Sequence, residues 1–285
     1  MNYSKKRAAA IAAAVLLLGM GGVPASNASA EPSGLLPAAS VNNVAQTSMD
    51  DALAQRKQLL TKFKPLLDQQ RKALDEEYKP GEIRYVYIND KEFQASSIGG
   101  TISSDSYLLM FQKYDEYTKK YAAGKSPMPL KLQQTPEGYN FFTAKIAPFM
   151  SRTEQKALYN QLIAEGKASG KKIYVKKLQE KRVSIELIYT MAVPVNEITG
   201  VLTITAEPAG PADKGVASEE VTAQSQKLKV GSQEVIYTLK EKQEYKSVAW
   251  MNPKTRINYI IRENRGHWTK EQLLELAGQV MAQSK

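Results

Sequence analysis

Few residues in this chain have the chemistry that catalysis and metal binding most often use. The chain has no cysteine and one histidine, His267, which excludes disulfides, thiolate catalysis, Cys-based zinc sites and metal sites built on paired imidazoles. A Ser-His-Asp triad would depend on His267 alone. That residue lies in Arg265-Gly266-His267-Trp268, just before a predicted helix N-cap, where a turn is expected. We therefore expect a structural or solvent-exposed role for His267.

Paired carboxylates are the other route to hydrolysis, because two of them can cleave a glycoside without histidine. Acidic clusters occur at Asp75-Glu76-Glu77, Asp115-Glu116 and Glu219-Glu220, each amid compensating lysines. This setting is typical of ordinary surface charge. The glycines lack the lysine and helix of a phosphate loop, and no Asp-x-Asp-x-Asp calcium loop occurs. The sequence therefore predicts no enzyme, no cofactor, no metal and no catalytic residue, with a carboxylate-only hydrolase as an alternative.

The N-terminal segment has the three parts of a secretory signal. A cationic start, Lys5-Lys6-Arg7, precedes an apolar run, Ala8 to Met20, and the small residues Ala28-Ser29-Ala30 follow. We predict that residues 1–30 are a signal peptide cleaved near Ala30 and that the product is secreted. The alternative is an uncleaved N-terminal membrane anchor, since Ala8 to Ala25 approaches the roughly 20 apolar residues of a membrane helix. An exported protein without disulfides fits a Gram-positive cell envelope.

The charge balance indicates the class of partner. The formal net charge is +10, and removing residues 1–30 takes away three positive charges and no acidic residue, which leaves +7. Such a surplus favours an anionic wall polymer or lipid, with peripheral membrane contact, through long-range attraction. A solvated surface of mixed charge is the other explanation. Nucleic acid is not expected, because the lysines between Lys167 and Lys181 suit an edge strand and the protein is predicted to be exported.

The elements that would position these residues differ between the two halves of the chain. Residues 31–48 read as a flexible leader, and residues 49–125 read as a helix-rich N-terminal region. Pro65 predicts a kink or two helices meeting there. The residues that recur on one face of the first predicted helix are Leu53, Leu60, Phe63, Leu67, Leu74 and Tyr78. Its basic residues are Arg56, Lys57, Lys62, Lys64, Arg71 and Lys72, which form either a solvated face or a membrane-surface face.

A strand and a second helix are predicted in the same region. The run Ile83 to Ile88 is rich in β-formers. Ser104 or Asp105 is then a candidate cap for a helix that would reach Gly124. The aromatic residues of that helix are Tyr107, Phe111, Tyr114, Tyr117 and Tyr121. An aromatic stripe at this spacing is more typical of a core than of a glycan site.

Residues 126–285 are predicted to form an antiparallel α+β domain. Strands are expected at 141–146, 173–178, 183–189 and 201–205, with an exposed loop at 207–217. A capping box, Ser151 to Glu154, opens a helix between them. Two hairpins follow, one turning at Gly231-Ser232 and one at 252–255. Thr269 and Gln272 cap a last helix, whose predicted buried residues are Leu273, Leu276, Ala277 and Val280. The predicted fold class is α+β, a mainly antiparallel sheet with a covering C-terminal helix, preceded by the helix-rich region.

The C-terminal half also resembles a known family. The segments that carry the resemblance are Pro136-Glu137-Gly138-Tyr139, the hairpin at Gly231, Val248-Ala249-Trp250-Met251, Asn258-Tyr259-Ile260-Ile261 and Thr269 to Ala277. It resembles a domain of unknown function found in exported or membrane-tethered Gram-positive proteins, often as the outer part of anti-sigma-like proteins. The resemblance implies an envelope module and supplies no catalytic residue.

The sequence therefore predicts an exported, non-enzymatic binding or sensing module of the cell envelope. The alternatives are the hydrolase above and a carrier of lipids or other hydrophobic ligands, with a cavity under a curved sheet.

Overall fold

The fold is described by a computed structural model for residues 39–96, 98, 100–123, 132, 134–191, 200–210, 225–240 and 244–283. The predicted signal peptide and residues 31–38 of the predicted leader lie outside these ranges. The chain divides into two units. The first, residues 1–52, is described only as helix from residue 39. The second, residues 53–285, carries both sheets and the other helices.

Helices and strands alternate irregularly along the chain. The helices are α1 (Ala39–Asp75), α2 (Lys91–Ala95), α3 (Tyr114–Ala123), α4 (Arg152–Ala168) and α5 (Lys270–Gln283). The strands are β1 (Glu82–Ile88), β2 (Ile102–Ser106), β3 (Leu109–Phe111), β4 (Tyr139–Pro148), β5 (Ile173–Gln179), β6 (Val183–Met191), β7 (Val201–Pro208), β8 (Ser225–Val230), β9 (Gln233–Lys240), β10 (Tyr245–Asn252) and β11 (Ile257–Asn264). All the strand pairs are antiparallel, so the predicted α+β class is confirmed.

The smaller sheet has three strands in the order β2-β1-β5 and is covered on both faces. Ile83 and Tyr85 of β1 pack with Leu158 and Leu162 of α4. On the opposite face Ile88 packs with the α1 side chain Phe63 and the α2 side chain Phe93. Every residue of β1 is buried, because successive side chains point to opposite faces and a helix lies over each.

The larger sheet has eight strands in the order β3-β4-β6-β7-β11-β10-β9-β8. One face of it forms the main core with α5, whose buried residues are Leu273, Leu276, Ala277 and Val280, as predicted. Trp250 and Tyr259 are directly opposite each other in the β10–β11 pair, and their rings stack with centroids 5.1 Å apart. The C-terminal helix therefore covers the sheet.

Local signals in the sequence placed several elements correctly. In α4 the Ser151 hydroxyl accepts a hydrogen bond from the Glu154 backbone, and the Glu154 carboxylate accepts one from the Ser151 backbone. The Thr269 backbone and Gln272 side chain form the corresponding contact at α5. Gly231 has a φ of 60° and is the only residue of its turn with a positive φ, as a type II′ hairpin requires.

The helix predicted from Ser104 or Asp105 is wrong over its first half. Residues 102–106 form β2 and 109–111 form β3, and the helix begins only at Tyr114. The β2 segment pairs with β1 over five residues, and β3 pairs with β4. Inter-strand hydrogen bonds thus compete with the helical pattern and outweigh it there, because tertiary pairing overrides weak local propensity.

The first helix also differs from expectation. Residues 39–48, predicted as leader, are helical, and the helix continues through Pro65, so it is one helix and not two. Once a helix is nucleated, each added residue adds a hydrogen bond, which explains extension beyond the amphipathic pattern. Phe63 is buried, but Leu53 and Leu60 of the same predicted face are exposed.

The predicted boundary at residue 125 runs through the smaller sheet. Its central strand, β1, comes from the N-terminal region, and β5 comes from the C-terminal one, yet the two pair over seven residues. Gly166 of α4 fits closely against Tyr87 of β1, where a Cβ atom would lie within 2.7 Å of the ring carbon Cε1. The N-terminal and C-terminal regions therefore share the smaller sheet and are also joined by the contact between α4 and β1.

Candidate binding surface

His267 lies in the connection between β11 and α5 and is exposed to solvent. It follows the close-packed Gly266 and precedes the buried Trp268. Within the described residues no group of three or more histidine, aspartate or glutamate side chains is arranged to hold a metal ion.

Two carboxylates converge on Arg182, a pairing that the sequence did not indicate. Glu154 and Glu180 both contact the Arg182 Nη2 atom, at 3.0 and 2.9 Å. Burial raises the pKa of each carboxyl, but hydrogen bonds from Arg182, and from Ser151 in the case of Glu154, outweigh it and hold both pKa values below the usual value of a glutamate. A glycosidase acid needs the opposite shift, so that it still carries its proton near neutral pH. This pair is built to stay ionised.

A second ionic cluster surrounds Arg84 of β1, which is completely buried. Its guanidinium donates to the Glu82 carboxylate at 2.6 Å and to the Ala73 carbonyl at 2.7 Å, near the end of α1. It also lies 4.2 Å from the centroid of the Tyr78 ring. A cation at the C-terminus of a helix satisfies carbonyls that lack partners and complements the helix dipole. Arg84 therefore attaches the end of α1 to the sheet.

The third cluster centres on Glu263 of β11, whose side chain is inaccessible to solvent. Its Oε1 atom accepts hydrogen bonds from the Tyr139 hydroxyl at 2.6 Å and from the Trp268 backbone N–H at 3.0 Å. Lys246 Nζ lies 3.3 Å from Oε2 and donates to the Trp268 carbonyl at 2.6 Å. Burial and the neighbouring carboxylate raise the pKa of Tyr139. The cluster joins β4, β10 and β11 to the segment that opens α5.

The predicted acidic and basic clusters are surface features where the structure describes them. Lys177 pairs with Glu76 at 3.0 Å, and Lys176 pairs with Glu165 at 2.8 Å. The lysine-rich run is thus partly neutralised on β5, an edge strand of the smaller sheet. Glu219-Glu220 lies outside the described residues.

A small polar cleft opens beside β2, where α4 covers β1 and β5 but leaves the edge strand accessible. Its volume is about 230 Å³, below the roughly 300 Å³ at which small-molecule sites usually begin. The lining residues are Ile83, Tyr85, Ser104, Asp105, Ser106, Pro148, Met150 and Gln155. Asp105 is the one acidic residue among them, so this cleft does not bring two carboxylates together.

A surface of mixed character lies on α1, where apolar and basic residues alternate along one side of the helix. We call these residues the α1 stripe; they are Leu53, Lys57, Leu60, Lys64, Leu67 and Arg71. Their spacings of four and three residues place them on one helical side. Leu53 is 57% exposed and Leu60 is 42% exposed, whereas Leu67 is half-buried. The pattern therefore presents apolar surface and positive charge together.

Most of the positive charge on this helix has no acidic partner. Lys64 pairs with Asp68, and Lys62 pairs with Glu92 at 3.1 Å. In the part of the chain that the structure describes, no salt bridge involves Arg56, Lys57, Arg71 or Lys72. Between Ala52 and Leu67 the helix has four basic residues and no acidic one. An anionic ligand would meet little competition here.

Within the described residues, no helix combines the length and apolar character needed to cross a membrane. The resemblance of the C-terminal half to the envelope family stays a prediction. No family model, curated protein or solved structure matches the chain.

Proposed function

We propose that this chain is an exported, non-enzymatic binding or sensing module of the cell envelope whose ligand is an anionic wall polymer or lipid. The observation that carries the proposal is the α1 stripe. Among the described residues, four basic residues of this helix take part in no salt bridge: Arg56, Lys57, Arg71 and Lys72. Export rests on the predicted signal at residues 1–30, with an N-terminal anchor as the alternative.

The ionic clusters support a role without catalysis. The carboxylates that converge on Arg182 have lowered pKa values and are committed to a cation. The ionic clusters around Arg84 and Glu263 connect helices and strands of the fold. Each cluster therefore has a structural use that accounts for its residues.

The carrier alternative gains no support from the main core. A carrier would need open space between the eight-stranded sheet and its covering helix. That side of the sheet is packed instead with Leu273, Leu276 and Val280 of α5, which belong to the same buried cluster as Trp250 and Tyr259.

Binding to anionic envelope components tests the proposal. The chain purified after export would be titrated with poly(glycerol phosphate) and with phosphatidylglycerol vesicles at about 20 mM and about 500 mM salt, because screening shortens the range of electrostatic attraction. We expect binding at low salt that weakens strongly at high salt. The double variant Lys57→Gln with Arg71→Gln, which replaces two of these four basic residues, should weaken the binding at low salt.

The matched control removes two lysines from another exposed helix face, Lys156→Gln with Lys167→Gln on α4. Both double variants lower the net charge by two. If binding depends on the position of the cations on α1 and not on the net charge, the α4 control should bind like the unaltered chain. Absence of binding to both probes at low salt would contradict the proposal.

A further inference from the structure

We infer that the α1 stripe docks in the plane of an anionic lipid membrane, with its leucines in the interface and its basic residues among the headgroups. The inference rests on the proposed function and names the ligand of the same surface.

The apolar half of the stripe needs an apolar partner. Leu53 and Leu60 lie about 80° and about 60° around the helix axis from the buried Phe63, at the edge of the core side, and keep 57% and 42% of their surface exposed. They are seven residues apart, about 10.5 Å along the helix axis at 1.5 Å per residue. Two leucines in register on an exposed helix face can enter the boundary between headgroups and acyl chains together.

The basic half of the stripe fits the same surface. Lys57 and Lys64 alternate with the leucines, and Arg71 continues the pattern one helical repeat later. Long basic side chains lay their methylene stems along apolar surface and extend their charges outward. Leucines that enter the interface thus bring these charges to the level of anionic headgroups.

Other occupants use only part of this surface. A soluble polyanion would pair with the lysines and arginine but leave Leu53 and Leu60 in water. A second copy of the chain would cover the leucines but would set Lys57 and Lys64 against the same basic stripe, which opposes helix pairing. An anionic membrane satisfies both halves at once.

Vesicle sedimentation tests the inference with two kinds of variant. Leu53→Ser with Leu60→Ser should lower partitioning onto phosphatidylglycerol vesicles about 10–30-fold, since each leucine loses roughly half of a full burial. Lys57→Gln with Arg71→Gln should lower it about 30-fold, because each basic residue near the surface contributes about fivefold. Val175→Thr is the control for an exposed apolar residue elsewhere, on β5.

A spectroscopic probe reports insertion directly and does not depend on binding strength. The chain has no cysteine, so a single introduced cysteine can carry an environment-sensitive fluorophore. With vesicles, a label at Leu60→Cys should shift to the blue. A label at Gln58→Cys, about 160° away around the helix, should shift little.

The outcomes separate this inference from the proposed function. Loss of vesicle binding in the leucine variant, with poly(glycerol phosphate) binding unchanged, supports membrane docking. Equal vesicle binding by the leucine variant and the unaltered chain, with no blue shift at position 60, overturns it. If poly(glycerol phosphate) still binds in that case, the envelope-binding proposal survives; if neither probe binds the unaltered chain, both fail.

Discussion

The Glu263 cluster predicts a large loss of stability from a single isosteric change. Glu263→Gln keeps the shape of the side chain but removes its charge and one acceptor oxygen. An amide oxygen in place of Oε1 can still accept from both the Tyr139 hydroxyl and the Trp268 N–H, but without the charge, while the amide NH2 group faces Lys246. Hydrogen bonds to a charged group contribute about 1.5–3 kcal/mol each, and breaking a buried pair costs about 3–5 kcal/mol.

Lys246 is partly exposed and keeps its bond to the Trp268 carbonyl, so we place the cost near the lower limit, about 3 kcal/mol. For a domain of this size that corresponds to a fall in Tm of about 6–12 °C. Urea unfolding followed by circular dichroism measures the free energy of unfolding. The control is Glu234→Gln, an exposed glutamate 3.6 Å from Lys227, which should change stability by less than about 0.5 kcal/mol.

A second variant tests whether the cluster acts as a unit. Tyr139→Phe removes one hydrogen bond to Glu263 and should cost about 1–2 kcal/mol. Combined with Glu263→Gln it should cost less than the sum, with a coupling of at least about 0.5 kcal/mol, because the Tyr139 hydrogen bond is already weaker when its acceptor is a neutral amide and not a carboxylate. Two results would refute the proposed role of the Glu263 cluster. One is the same unfolding midpoint for Glu263→Gln and Glu234→Gln, and the other is a double variant whose loss of stability equals the sum of the Glu263→Gln and Tyr139→Phe losses.

Three further predictions concern packing, helix propensity and acid stability. Gly166→Ala should destabilise the chain by about 2–3 kcal/mol, since the new methyl group overlaps the Tyr87 ring; urea unfolding at an unchanged m-value measures it, and a cost below 0.5 kcal/mol would contradict the close fit. Gly278→Ala should instead stabilise α5 by about 0.5–1 kcal/mol, because its Cβ meets only Val230 Cγ1 at 3.5 Å; a lower Tm would count against it. The lowered pKa values of the two carboxylates at Arg182 mean that their contribution is complete above about pH 4.5 and is lost as pH falls through the folded-state values. Arg182→Gln should therefore flatten the decline of the unfolding free energy as the pH falls below the usual pKa of a glutamate, and an unchanged slope would show that these two carboxylates do not cause the decline.

Much of the fold could be read from the sequence where the determining interactions are local. The capping boxes at Ser151 and Thr269 depend on contacts three residues apart, and the hairpin at Gly231 depends on one backbone conformation. Enrichment in β-branched and aromatic residues predicted the strands at 183–189 and 201–205, which lie in the larger sheet. Helical spacing likewise predicted the face of α5 that packs on that sheet.

Predictions failed where a segment's partner lies far away in sequence. The aromatic spacing from Tyr107 predicted a helix, but pairing of β2 with β1 and of β3 with β4 determines the structure of residues 102–111. The ionic clusters show the same limit. Glu263 and Tyr139 are 124 residues apart, and no local pattern indicates that the Tyr139 hydroxyl donates a hydrogen bond to the Glu263 carboxylate.

The sequence by itself determined which chemistry the chain can have: no thiolate, no imidazole pair and a surplus of positive charge. It also predicted that α1 has apolar and basic residues at helical spacing. Only the tertiary structure decided which of those apolar residues are covered. Phe63 is buried against β1 and α2, while Leu53 and Leu60 remain exposed beside Lys57, because the sheet covers only one side of the helix. The spacing of residues in the sequence determines how side chains are arranged around a helix axis. The position of the neighbouring elements determines which of these side chains are exposed to solvent.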